Sequence, residues 1–271
     1  MSGAGARTRS GHDRALPYRL VDMHCHLDLM ANADEVAADA AAHDIALFNA
    51  TVTPADAKAA AERFANAPNV RVGTGLHPWW LANGSCDGLD ADRAALMAAS
   101  ARYMGEVGLD FSERYRESFD TQAAAFDLIM RACAERPTSG RAISLHAVRS
   151  AHVALDILER YGLTDSAACI FHWFSGTSDE FARARTAGCW FSINEHMLVS
   201  KRGREYARQA PTDKLLLETD APPRLGEPYS ADAIETSLET VLDKLSEIRN
   251  EERNELAARI AAASCRLLNM R

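Results

Sequence analysis

Imidazole and carboxylate side chains recur in six short segments of this chain, each at the end of an apolar run with strand character. The segments are Asp22-Met23-His24-Cys25-His26, Gly75-Leu76-His77-Pro78, Gly105-Glu106-Val107-Gly108-Leu109-Asp110, Leu145-His146, Phe171-His172-Trp173-Phe174-Ser175-Gly176 and Glu218-Thr219-Asp220. Histidine and carboxylate are the usual ligands of zinc, manganese and related divalent cations, so their recurrence at strand ends points to metal-dependent hydrolysis. His24 and His26 carry the firmest local geometry, because residues two apart on a strand share a face and both rings would look into one cavity. Cys25 would point the other way, into the layer between strand and helix, as a packing residue with no ligand role.

The chain that must position these groups has 271 residues, 47% of them hydrophobic and 25% charged, a composition that belongs to a folded globular protein. It contains no apolar run long enough to span a membrane and no secretory signal near its start, so a cytoplasmic protein is expected. Six scattered cysteines, none in a Cys-x-x-Cys pair, indicate reduced thiols rather than disulfides or structural zinc. Residues 1–17 are rich in Gly, Ser and Arg and read as a disordered extension ahead of a single domain over 18–271.

Within that domain, strand-like runs at about 18–24, 45–51, 70–76, 102–107, 141–146, 167–172, 189–193 and 214–218 alternate with helix-like stretches. The segment 116–136 shows the helical period well, with Phe119, Ala123, Phe126, Ile129, Met130 and Cys133 on one stripe. Strand–helix alternation repeated eight times predicts an α/β fold with parallel strands, closed as a (β/α)8 TIM barrel of the metal-dependent hydrolase type. Such barrels place their active sites at the C-terminal ends of the strands. His24, His26, His77, Glu106, His146, His172 and Asp220 all fall there, on one rim.

In that order the segments resemble the TatD family of metal-dependent deoxyribonucleases, whose pattern runs His-x-His, Gly-Leu-His-Pro, Gly-Glu-x-Gly-Leu-Asp, a lone histidine, a His-x-Phe-Ser-Gly-like element and Glu-Thr-Asp-Ala-Pro. The likeness covers Val21 to about Pro223. It implies two divalent metal ions, Mg, Mn or Zn, joined by Glu106, with His24, His26 and Asp220 on one and His146 and His172 on the other. It also implies phosphodiester hydrolysis, with Asp220 taking a proton from the attacking water and Glu106 beside it as the other catalytic residue. His77 is expected either to meet the substrate phosphate or to fix the loop at Pro78. Glu218 shares a face with Asp220 and suits a partner that orients a ligand or water, Asp110 a loop anchor, and Arg149 a phosphate contact or a rim salt bridge. The chain departs from the commoner family pattern at Gly188–Leu198, at Ser200-Lys201-Arg202-Gly203-Arg204 and at Arg224–Tyr229. With His172–Gly176, the Gly188-Cys189-Trp190-Phe191-Ser192 run and the Ser200–Arg204 stretch resemble the TatD-type subunit of Qat anti-phage defence systems, QatD, which implies antiviral defence and other Qat subunits as partners.

A formal net charge of −8 excludes a protein that coats duplex DNA through a broad basic surface. A narrow nuclease pocket needs less. Lys201, Arg202, Arg204 and Arg208 follow the seventh strand, and Trp79, Trp80, Trp173 and Phe174 lie on rim loops, where rings can stack on bases and cations can follow a single strand. The expected function is therefore a metal-dependent nuclease acting on single-stranded DNA from an end. Two other readings stand beside it: hydrolysis of a small ester, amide or modified nucleotide, and a mainly structural subunit of a defence complex.

Overall fold

A computed structural model of the protein describes residues 16–270, so residues 1–15 of the expected extension lie outside the described residues. The strands are β1 (Leu20–Cys25), β2 (Ile45–Asn49), β3 (Val70–Val72), β4 (Thr74–Leu76), β5 (Tyr103–Asp110), β6 (Ala142–Val148), β7 (Ala168–His172), β8 (Trp190–Ile193) and β9 (Leu215–Leu217). Every ladder is parallel, in the orders β1-β2-β3 and β4-β5-β6-β7-β8-β9. β3 and β4 are the two halves of the third expected strand, broken at Gly73: the first half pairs with β2 and the second with β5. Single backbone bonds close the ring beyond the ladders. Asp220 N–H reaches His24 O at 2.9 Å, His26 N–H reaches Ala221 O at 2.7 Å, and Glu106 N–H reaches Thr51 O at 2.7 Å. The architecture is the (β/α)8 barrel that the alternation predicts.

The α-helices between and after these strands are α1 (Ala33–Ala42), α2 (Pro54–Arg63), α3 (Pro78–Ala82), α4 (Gly88–Ala98), α5 (Phe119–Glu135), α6 (Ala151–Arg160), α7 (Leu163–Ser166), α8 (Ser178–Thr186), α9 (Glu195–Val199), α10 (Lys201–Gln209), α11 (Ala231–Arg249) and α12 (Arg253–Leu267). Several start on side-chain caps that satisfy their first amides, such as Thr53 on α2 and the reciprocal Thr177–Glu180 pair on α8. The stripe expected on α5 is buried from Phe126 to Cys133, but Gln122 is buried as well, because its Oε1 accepts the Asp110 N–H at 2.7 Å.

Two apolar layers follow from strand alternation. Outward-facing residues such as Leu47, Leu145, Phe171 and Phe191 pack beneath the helices, while Val21, Met23, Phe48, Ala142, Ile170 and Leu216 fill the barrel interior and are sealed below by Cys265, Leu268 and Met270. Going up each strand, the inward row changes from apolar to polar: Ala142, Ser144, His146 on β6; Ile170, His172 on β7; Leu216, then Glu218, at β9. Two strands carry one extra residue. β1 shifts register between Asp22 and Cys25, and β5 between Met104 and Val107. A bulge of this kind inverts which side chains face inward. Met23 and His24 therefore both serve the interior, and so do Tyr103 and Glu106.

Chain crossings near the site are close. A Cβ built on Gly75 would lie 1.6 Å from Thr51 O, and one on Gly108 (φ +151°) would lie 2.0 Å from His146 O. Gly75→Ala is expected to lower the stability by about 3 kcal/mol through forced backbone separation. Chemical denaturation checks this; a variant as stable as the wild type would contradict the crossing.

Candidate metal centre

Five imidazoles converge on the single carboxylate of Glu106, which is buried at the top of the interior. Its Oε2 lies 3.3 Å from both His24 Nε2 and His26 Nε2. Its Oε1 lies 2.7 Å from His146 Nδ1, 2.8 Å from His172 Nε2 and 3.1 Å from His77 Nε2. Asp220 completes the first group, with Oδ1 3.6 Å from His24 Nε2 and 3.5 Å from His26 Nε2. The carboxylate thus faces two separate sets of donors, one through each oxygen.

The far nitrogens of these rings decide which atoms face inward. His26 Nδ1–H donates to Ala50 O at 2.6 Å, and His24 Nδ1 meets Ser144 Oγ at 2.6 Å, so each ring turns Nε2 toward Glu106. His172 stacks on His24 with centroids 4.0 Å apart and points Nδ1 at Glu218 Oε1, 3.7 Å away. Glu218 is fully buried and held by Ser192 Oγ, by Asn194 Nδ2 at 2.8 Å and by the Trp173 N–H at 3.1 Å. His146 points Nε2 toward Asp110 Oδ2 at 3.6 Å, and Asp110 accepts Trp79 Nε1–H at 2.6 Å and the Ser112 N–H at 2.9 Å. Carboxylates behind imidazoles in this way fix ring orientation and raise basicity. His77 differs. Its Nδ1 accepts the Trp79 N–H at 3.1 Å, so its proton sits on Nε2 and it acts as a donor toward Glu106, not as a ligand.

The electrostatics favour added positive charge. Burial works to raise the Glu106 carboxyl, yet His77, His172 and His24 outweigh it and hold it well below its ordinary range. Asp220 is likewise lowered, to about 2, because His26, His172 and His24 override burial. Burial works against charge on His26, but bonds to Asp220 and Glu106 carry it up to about 10. His77 is lowered to about 4, mainly by burial, and stays neutral. Protons on these rings occupy the role a divalent cation would take, so metal uptake would release protons.

The donors fit such a cation. His24 Nε2, which faces Glu106 and Asp220, is buried without a hydrogen-bond partner, and an orphaned buried nitrogen is costly unless something binds it. Ligand bonds of about 2.0–2.2 Å in a tetrahedral arrangement put ligand atoms about 3.3–3.6 Å apart. Glu106 Oε2 and Asp220 Oδ1 lie 3.3–3.6 Å from His24 Nε2 and His26 Nε2. The Glu106, His146 and His172 group is drawn in to hydrogen-bond distance, and would need to widen by about half an ångström.

Above this floor lies a cavity of about 650 Å³ lined by His77, Trp79, Trp80, Arg149 and Trp173 among others. Arg149 is exposed, takes a positive φ of 55° directly after β6 and has no ion pair among the described residues. Trp173, also at positive φ, stacks on His196 with centroids 5.2 Å apart. Lys201 and Arg202 stand exposed on the first turn of α10 and are not among the cavity's lining residues. Arg204 instead donates to the carbonyls of Leu198 and Val199 at the end of α9, and Arg208 pairs with Glu205. Phe174, read from the sequence as a rim aromatic, is a core residue wedged among Phe171, Phe181, Phe191 and Tyr206.

Sequence reasoning missed Asp22, Ser144, Ser192 and Asn194. Asp22 is fully buried and accepts the Thr219 N–H at 3.0 Å and Thr219 Oγ1–H at 2.5 Å, tying β1 to the segment that carries Asp220. Its signal was an acid in the middle of an apolar strand, two residues before His24. The two serines and Asn194 gave no such contrast.

A (β/α)8 barrel with buried histidine and carboxylate clusters at the C-terminal ends of its strands defines a hydrolase of the metal-dependent barrel class. The chain matches the family of TatD related DNases over residues 21–269, and it belongs to that family. A 3'-5' ssDNA/RNA exonuclease TatD of Erwinia tasmaniensis is 29% identical over 204 residues, covering 72% of this chain and 77% of its own. The protein of the same description from Citrobacter rodentium is 29% identical over 234 residues, covering 83% and 87%. The solved structure of YJJV, a TatD homologue from Escherichia coli, shares the fold with a TM-score of 0.77 at 22% identity, covering 93% of this chain and 99% of that one. No helix among the described residues is long and apolar enough to cross a membrane.

Glu106→Ala is expected to strip bound divalent cations from both donor groups, whereas His77→Ala retains them. Elemental analysis of the purified variants reads this directly. In the wild type, a cation present at 100 times its Kd should add about 2.7 kcal/mol of stability, seen as a Tm rise that chelator reverses. Undiminished metal in Glu106→Ala would count decisively against the shared carboxylate.

Proposed function

We propose that this protein is a metal-dependent phosphodiesterase that removes nucleotides from an end of single-stranded DNA. In this reading His24, His26, Glu106 and Asp220 hold one divalent cation, and Glu106, His146 and His172 a second. The observation that carries it is the division of the Glu106 carboxylate, whose Oε2 faces His24 and His26 while its Oε1 faces His146 and His172. The relatives described as 3'-5' ssDNA/RNA exonucleases support the substrate class. An imidazole-rich donor set favours zinc or manganese over magnesium.

Cations bound there would supply Lewis acidity toward a phosphoryl oxygen and lower the pKa of water. The remaining work falls to the chain's own groups. Asp220 is ionised at neutral pH and its side chain is 22% exposed, on the cavity wall, so it is placed to accept the proton of an attacking water. His77 Nε2–H is a neutral donor that can turn from Glu106 to a phosphoryl oxygen. Glu218 and Asp110 keep His172 and His146 oriented. Trp173, 38% exposed at the mouth, offers a face to a base. A cavity closed below by the Glu106 floor accepts a strand terminus more readily than the middle of a duplex. Work beside other subunits of a Qat-type defence system belongs to the same proposal and rests on the segments 172–176, 188–192 and 200–204.

End-labelled linear single-stranded DNA should be shortened progressively by the protein supplied with manganese, magnesium or zinc. Chelator should abolish the reaction, and Asp220→Asn and His146→Ala should each slow it about 10³-fold. Circular single-stranded DNA should survive. Cutting of the circle would overturn the end-directed part, and metal-loaded protein inert on every strand would overturn the nuclease reading.

A further inference from the structure

Two arginines and no lysine line the cavity above the Glu106 floor: Arg114 and Arg149. Neither has a carboxylate partner among the described residues. Glu113, beside Arg114 in the chain, is engaged by Arg116 at 3.0 Å. A guanidinium facing a cavity without a counter-ion is a ready receptor for an external anion.

Arg114 is also held in place. Its guanidinium carbon lies 5.1 Å from the centre of the Trp79 ring and 4.6 Å from that of Tyr115, and the two rings are 6.1 Å apart. Trp79 is pinned in turn by its Nε1–H bond to Asp110 at 2.6 Å. Stacking on ring faces leaves the in-plane N–H groups of a guanidinium directed outward, where they match two oxygens of a phosphate. Arg149 reaches the same cavity from the first residue after β6, three positions beyond His146.

The positive charge is one-sided. An adjoining cavity of about 760 Å³ shares Trp173, Asp220, Pro222 and Pro223 with the first, and its charged or titratable lining beyond Asp220 is Glu195, His196, Tyr229 and Asp232, with no arginine or lysine. The first cavity thus sets Arg114 and Arg149 beside the carboxylates of Glu106, Asp110 and Asp220, whereas the adjoining one offers a phosphate carboxylates and no fixed cation.

We infer that Arg114, seated on Trp79 and Tyr115, grips together with Arg149 a phosphate of the retained strand adjacent to the scissile one. The preferred substrate is then a chain carrying at least two consecutive phosphodiesters, running out past Arg114 rather than past Glu195 and Asp232. The inference rests on the nuclease reading above and names the substrate contact that reading lacks.

Steady-state hydrolysis by the metal-loaded protein separates the two ideas when measured on a single-stranded deoxyoligonucleotide and on bis(p-nitrophenyl) phosphate, a diester with no second phosphate. Arg114→Ala should raise KM for the oligonucleotide about tenfold with kcat nearly unchanged, and leave the small diester unaffected. The slope of log KM against log salt should fall by about 0.7, the loss of one phosphate contact on a single strand. Arg114→Lys should recover part of the affinity. An unchanged oligonucleotide KM, or equal losses on both substrates, would overturn the clamp. If the wild type hydrolyses neither substrate, the nuclease reading fails, and anisotropy of a fluorescent oligonucleotide judges the clamp alone: tenfold weaker binding by Arg114→Ala upholds it, equal binding rejects it.

Discussion

Glu106 is an ionised carboxylate taken almost wholly out of water, and such a group persists only where nearby positive or donor groups offset the lost hydration. Here the offset comes from five imidazoles contributed by the ends of four different strands and the residues just beyond them. The outer layers follow from this demand. Asp110 and Glu218 steady the rings that Oε1 gathers, Ser144 and the Ala50 carbonyl steady those at Oε2, and Asp22 holds the Asp220 segment against β1.

The barrel meets the demand by breaking its own regularity in two places. Regular alternation along β1 would continue from Met23 to Cys25 on the inside, and along β5 from Tyr103 to Gly105. The register shifts on both strands exchange those residues for His24 and Glu106. The lower interior can therefore be packed with Val21, Met23 and Phe48 while the upper interior presents charge, without lengthening either strand. The close crossings at Gly75 and Gly108 belong to the same region, where the chain is threaded past neighbouring carbonyls.

Much of this was legible in the residues themselves. Eight strand–helix units, their order and the rim on which the histidines fall all follow from apolar periodicity and from where polar residues interrupt it. The errors have physical causes. The third strand is split at Gly73, where a side chain would meet Gly105 O, and no local pattern reports a contact from another strand. β5 runs to Asp110 rather than stopping near residue 107, because Gly108 serves a close strand crossing instead of ending the strand. Phe174 turns into the core because Trp173 takes a left-handed backbone conformation before it, and a rim position cannot be told from a core position by residue type. Arg114 carries no signal in the sequence, because an isolated arginine becomes meaningful only once its aromatic seat and its lack of a counter-ion among the described residues are visible.

The seam between the first and last strands has a bearing on how the chain matures. Asp22 and Thr219 stand 197 positions apart, and the backbone bond from Asp220 to His24 joins the same two ends. Contacts of such sequence separation carry the loop-closure entropy of the intervening chain. The donor set of His24, His26 and Asp220 is thus assembled only when synthesis has delivered the ninth strand and the ring has shut. A nascent chain that still lacks β9 cannot bring these three side chains together, so the group is a product of the closed ring and not of any one segment.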